Sequence, residues 1–123
     1  MITGLRPGQR LLGFSILKGD FMEKDIQSLL TQNGTSSTMW SVNHDYHFGG
    51  YAKFTPGLID FINDFKQIHG IATDPIYTGK LVYGVLDLIE KGFFPQGSRI
   101  IAVHTGGLQG IQGFNQRFGP LIH

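Results

Sequence analysis

The chain has 123 residues, 41% hydrophobic and 15% charged, which suits one folded domain with a core and argues against disorder. Ten basic against nine acidic residues leave a formal charge of +1, so there is no electrostatic footprint for nucleic acid or an anionic membrane. The absence of cysteine excludes disulfides, thiolate nucleophiles and zinc–thiolate sites, and with neither a bilayer-length apolar run nor a secretory pattern the chain reads as soluble and cytoplasmic.

In chain order, Arg6-Pro7-Gly8 signals a turn, and Leu11 to Leu17 then reads as a buried strand. Asp20 followed by Glu23 has the form of a capping box. It should open a helix that carries Met22, Ile26, Leu29 and Leu30 on one face and stops at Asn33-Gly34. Thr35 to Thr38 is a polar connection, and Met39 to Val42 is a short strand. Asn43 to Thr55 has neither period and is dense in His, Tyr and Gly, the character of a functional loop. Thr55-Pro56 is a cap with proline at the first helical position. The helix it starts should bury Leu58, Phe61, Ile62, Phe65 and Ile68 and end at Gly70.

Gly70 to Ala72 is a minimal strand. A third helix from Leu81 should present Val82, Val85, Leu86 and Ile89 and stop near Gly92. Ile100 to Val103 reads as a strand buried on both faces, and Gly107 to Phe118 has room for a short helix, weakened by Gly110 and Gly113. The alternation predicts a three-layer α/β fold, a mostly parallel sheet with helices on both faces.

Three clusters have functional character. In such sheets ligands bind just beyond the carboxyl ends of strands, which places His104, Thr105, Gly106 and Gly107 at the floor of a site. The glycines would admit a flat or phosphorylated ligand, although a tight turn that needs glycine only for its dihedrals explains them equally well. In the segment Asn43 to Tyr51, His44 and His47 beside Asp45 have the chemistry of metal ligands, but no further ligand follows at motif spacing and only His104 could be brought in by the fold. Hydrogen bonding within a surface loop is the simpler account, and Tyr51 could also present its phenol to a ligand. In the segment Asp74 to Lys80, Tyr77 precedes a helix start whose N–H groups would favour phenolate, so it is a candidate acid, base or nucleophile. Lys80, early in an amphipathic helix, is read as solvated.

Four runs taken together resemble a known family: Ile16-Leu17-Lys18-Gly19-Asp20-Phe21, Tyr46-His47-Phe48-Gly49-Gly50-Tyr51-Ala52-Lys53, Asp74-Pro75-Ile76-Tyr77-Thr78-Gly79-Lys80 and His104-Thr105-Gly106-Gly107. They look like the carboxy-terminal part of the 1-aminocyclopropane-1-carboxylate deaminase and D-cysteine desulfhydrase family, pyridoxal-phosphate enzymes of the tryptophan-synthase β fold type (fold type II). The resemblance runs from Leu11 to Gly107. It implies that Tyr77 acts on the substrate with Tyr51 assisting, and that Thr105 meets the pyridine nitrogen while Gly106 and Gly107 line the ring. Thr78 stands where the ring-opening deaminases carry glutamate, and Thr105 where they tend to carry leucine. Neutral hydroxyls leave the electron sink shallower than a carboxylate would, so the two threonines favour the desulfhydrase-like branch.

The resemblance also implies missing parts. The Schiff-base lysine of the family lies well upstream and is matched by none of Lys18, Lys53 or Lys80. The phosphate-binding loop should end just before Met1, with Met1 to Leu5 its trailing helix. The chain is therefore expected to be a single α/β domain over residues 1–123, a fragment of a larger two-domain enzyme and inactive by itself. Its partners would be a small amino-acid substrate and the upstream half of the enzyme, in an assembly compatible with a homodimer. The alternative is a stand-alone, non-catalytic α/β module that binds a phosphorylated small molecule at Gly106 and Gly107, or a metal at His44, Asp45 and His47.

Overall fold

A computed structural model of the chain describes residues 4–34 and 39–123. Residues 1–3 of the Met1 to Leu5 segment and the Thr35 to Thr38 connection lie outside the described residues. Strand β1 (Leu11–Phe14) and strand β2 (Trp40–Asn43) pair in parallel, with Leu11 opposite Trp40 and Phe14 opposite Asn43. Parallel neighbours need a crossover, and helix α1 (Met22–Gln32) supplies it. Three more helices follow: α2 (Pro56–His69), α3 (Thr78–Glu90) and α4 (Gln109–Phe118). The α/β class and the parallel pairing are as expected, and no described helix is long and apolar enough to cross a membrane.

Helix α2 forms where its signals lie. Thr55 Oγ1 accepts from the Leu58 N–H at 3.2 Å, and Gly70 takes the left-handed conformation at the C-cap. Its buried face, Leu58, Ile59 and Ile62, joins Phe114 of α4 and Ile122 of the tail in the core. Each such side chain contributes about 1.5–3 kcal/mol by leaving water. The tail is fastened from both sides: Asn63 donates to Leu121 O at 2.8 Å, and Asn115 exchanges hydrogen bonds with Ile122 at 2.8 and 3.0 Å. Helix α3 lies close against β1, since a Cβ on Gly84 would stand 2.6 Å from the Phe14 ring and 3.0 Å from that of Tyr46. Tyr46 in turn donates to Asp87 Oδ2 of α3 at 2.7 Å.

Several expectations fail for physical reasons. Ile100 to Val103 is not a strand: among the described residues the sheet has two strands, nothing pairs with this run, and Ile101 is 80% exposed. Gly70 to Ala72 is not a strand either. A strand exists only with a neighbour to take its N–H and C=O groups, so the predicted three-layer sheet is reduced to a small parallel pair. Asp20 does not cap α1, whose N-cap is Phe21 without a side-chain bond, and Glu23 pairs instead with His44 Nε2 at 2.6 Å. Leu29 and Ile68, both predicted to face the core, are exposed. Helix α3 starts three residues earlier than its apolar pattern suggests. It buries Gly84, Val85 and Leu88, while Leu86 and Ile89 remain exposed.

Candidate functional site

The residues before α3 are organised by one side chain that sequence reading passed over. Asp74 is almost completely buried, and its carboxylate accepts from the backbone N–H groups of Ile76 (2.8 Å), Tyr77 (2.7 Å) and Thr78 (2.9 Å). The Thr78 hydroxyl donates to Asp74 Oδ1 at 2.6 Å and accepts from the Asp74 N–H at 2.9 Å. A carboxylate among the free N–H groups of a helix start is stabilised by both the hydrogen bonds and the helix dipole. Asp74, four residues ahead of Thr78 and followed by proline, was the available signal. The Thr78 hydroxyl is thus enclosed with Asp74 instead of being open to a ligand.

Asp74 also borders the glycine turn: a Cβ on Gly107 would meet its Oδ1 at 3.3 Å. The turn is held further by His104. The Gly106 N–H donates to His104 Nδ1 at 3.1 Å, so the ring proton sits on Nε2 and donates to Ala72 O at 2.8 Å. Gly106 and Gly107 both have positive φ, +91° and +83°, and open space lies where a Cβ of Gly106 would stand. Thr105 is exposed beside them, and among the described residues no hydrogen bond links it to either tyrosine.

The structure brings Tyr51 and Tyr77 together, their rings 6.3 Å apart and tilted by 67°, both about half exposed. The phenolate expected of Tyr77 does not follow. Its phenol is pushed up from the ordinary value of 10.0, first by hydrogen bonding with Tyr51, then by burial and by the negative fields of Tyr51 and Asp74. The helix-start N–H groups that would have favoured phenolate are occupied by Asp74, so Tyr77 is a neutral proton carrier at pH 7.

The loop that carries Tyr51 is conformationally strained. Phe48 and Ala52 have φ of 56° and 57°, and Gly49 and Gly50 are also positive. Left-handed backbone costs a residue with a Cβ about 1–2 kcal/mol, so the surroundings must impose it. Lys80, expected in solvent, has no exposed surface. Its ammonium donates to His47 O at 2.8 Å and to Gly50 O at 3.1 Å. Burial lowers it from 10.5 to about 8, opposed by the charge of Asp74.

His44, Asp45 and His47 do not form a metal site. His44 is paired with Glu23, and His47 Nδ1 accepts from the Gly49 N–H at 3.0 Å. Among the described residues no three His, Cys, Asp or Glu side chains lie together. A cavity of about 450 Å³ is bordered by Tyr51, Ala52, Lys53, Phe54, Arg117 and Phe118, and neither Tyr77 nor Thr105 is in its walls.

The sequence matches no family model. A 1-aminocyclopropane-1-carboxylate deaminase of Methylobacterium nodulans is 36% identical over 77 residues, 63% of this chain and 23% of that protein. A Pyrococcus furiosus protein provisionally given the same name is 34% identical over 112 residues, covering 86% of this chain and 33% of its own length. The crystal structure of an ACC deaminase homologue superposes with a TM-score of 0.74 at 30% identity, over 90% of this chain and 35% of the other. The chain is a relative of the 1-aminocyclopropane-1-carboxylate deaminases. It spans about a third or less of the length of the curated deaminases it matches. The homologue of known structure extends well beyond the part that superposes on this chain.

Proposed function

We propose that this chain is the cofactor-ring and substrate side of a pyridoxal-phosphate-dependent deaminase or lyase acting on a small amino acid, a domain that works when joined to the rest of a larger enzyme. One observation carries the reading: Asp74 holds the Tyr77 N–H and lies against the glycine turn, while Tyr51 is brought from a separate loop onto Tyr77. The arrangement fits the cofactor. Gly106 leaves its backbone bare for a flat ring, and it is flanked in the chain by Gly107 and the exposed Thr105. Thr105 would meet the pyridine nitrogen, with Gly106 and Gly107 along the ring. When bound, the cofactor supplies an electron sink for the pair left on the substrate α-carbon. The Schiff-base lysine is supplied by polypeptide outside these 123 residues.

Tyr77 holds a proton on its phenol oxygen at neutral pH, the state required of a general acid. Tyr51, its ring 6.3 Å from that of Tyr77, is the neighbour that does most to keep that proton in place. Of the two threonines that favour desulfhydrase-like chemistry, Thr78 spends its hydroxyl on Asp74, so the preference rests on Thr105. The test joins this chain with the remaining two thirds of the Pyrococcus furiosus relative and measures ammonia release from 1-aminocyclopropane-1-carboxylate and from D-cysteine. Tyr77→Phe lowers turnover about 10²–10⁴-fold with little change in fold. Full turnover in that variant would remove Tyr77 from the chemistry, and faster turnover of the cyclopropane substrate would overturn the desulfhydrase preference.

A further inference from the structure

We propose that Lys80 is a positioning residue whose ammonium pins the His47 and Gly50 carbonyls and thereby sets the Tyr51 phenol against that of Tyr77. Three observations converge on it. Lys80 is fully enclosed, and the hydrogen bonds its ammonium donates both go to one loop, at 2.8 and 3.1 Å. Those two carbonyls flank the left-handed residues Phe48 and Gly49, and Tyr51 follows at once. Lys80 itself lies in the first turn of α3, three residues after Tyr77. One side chain therefore ties the segment bearing the first phenol to the helix start bearing the second.

The loop's own bonds do not replace this tie. The Gly50 N–H donates to His47 O at 3.2 Å and the Lys53 N–H to Gly50 O at 3.1 Å, which shape the loop internally but do not attach it to α3. Phe48 packs edge-on against Tyr83 of α3 at 5.0 Å, a contact that holds the loop near the helix without fixing the direction of Tyr51. The ammonium does, because it fixes the two carbonyls ahead of Tyr51. The positional claim stands on the geometry alone. Its consequence for turnover rests on the function proposed above.

Proton nuclear magnetic resonance of the intact chain at pH 6.5, where the Lys80 ammonium holds its charge, tests it without any cofactor. The rings of Tyr51 and Tyr77, 6.3 Å apart, should give a ring-to-ring nuclear Overhauser contact, assigned with the Tyr51→Phe and Tyr77→Phe variants. With Lys80→Met, which keeps length and removes the charge, that contact is expected to be lost while far-ultraviolet circular dichroism is retained. If that variant does not fold, Lys80→Leu takes its place, with the same expected loss. The chain has no cysteine, so Lys80→Cys alkylated to an aminoethyl side chain restores a single ammonium at this position, and with it the contact. A folded variant that keeps the contact overturns the proposal, as does failure of the aminoethyl side chain to restore it. In the joined enzyme, a lost contact with unchanged turnover would leave the positioning of Tyr51 intact and refute the catalytic role of the tyrosines instead.

Discussion

Lys80 and Asp74 show how far residue type alone misleads. Lysine is almost never fully buried, and a lysine in the first turn of an amphipathic helix is ordinarily solvated; here it is enclosed because a strained loop presents two carbonyls to it. An enclosed ammonium has a cost that depends on pH. Its pKa falls from 10.5 in the unfolded chain to about 8 in the fold, with Asp74 the charge that opposes the fall. Below about 8 both states hold the proton and the cost is fully present. Between about 8 and 10.5 the unfolded state binds more protons than the folded one, so stability rises with pH. The urea midpoint of the parent chain is therefore expected to rise relative to that of Lys80→Met between pH 7.5 and 9.5. A pH-independent difference would mean that the ammonium titrates normally. Tyr77 gives the complementary lesson: its position before a helix was legible, but its phenol is pushed up first by Tyr51, a residue of a distant loop, then by burial, and last by the charge of Asp74.

Among the elements, α2 was readable from end to end because Thr55, Pro56 and Gly70 act locally and fix its limits without reference to anything distant. The start of α3 was misplaced because its capping carboxylate belongs to Asp74, outside the apolar repeat. The capping box read at Asp20 and Glu23 lost to a long-range partner, His44, twenty-one residues away. Glycines inside helices separate local cost from packing. A methyl at Gly84 would stand 2.6 Å from the Phe14 ring, whereas Gly113 in α4 has open space around it. Gly84→Ala is expected to destabilise by about 1–3 kcal/mol through overpacking. Gly113→Ala should stabilise by about 0.5–1 kcal/mol, because alanine loses less backbone freedom in a helix. Denaturant unfolding of the two variants checks both signs, and a stabilising Gly84→Ala would contradict the close approach of α3 to β1.

At the scale of the molecule, the α/β class and the parallel β-α-β unit followed from alternation, but the extent of the sheet did not. Ile100, Ile101 and Val103 have the composition of a central strand and yet lie exposed, without a strand beside them among the described residues. Apolar β-branched runs report the neighbours a segment is suited to, and the deaminase homologue of known structure is nearly three times as long as the part matched here. The account is that Tyr51, Tyr77 and the Thr105 turn form one side of a cofactor seat whose covalent tether is on other polypeptide. The most direct measurement is borohydride reduction in the presence of pyridoxal phosphate followed by peptide mass mapping, on this chain alone and joined to the remainder of the Pyrococcus furiosus relative. The account predicts one stoichiometric lysine adduct, on the supplied polypeptide and none on this chain; a stoichiometric adduct at Lys80 of the isolated chain would contradict it.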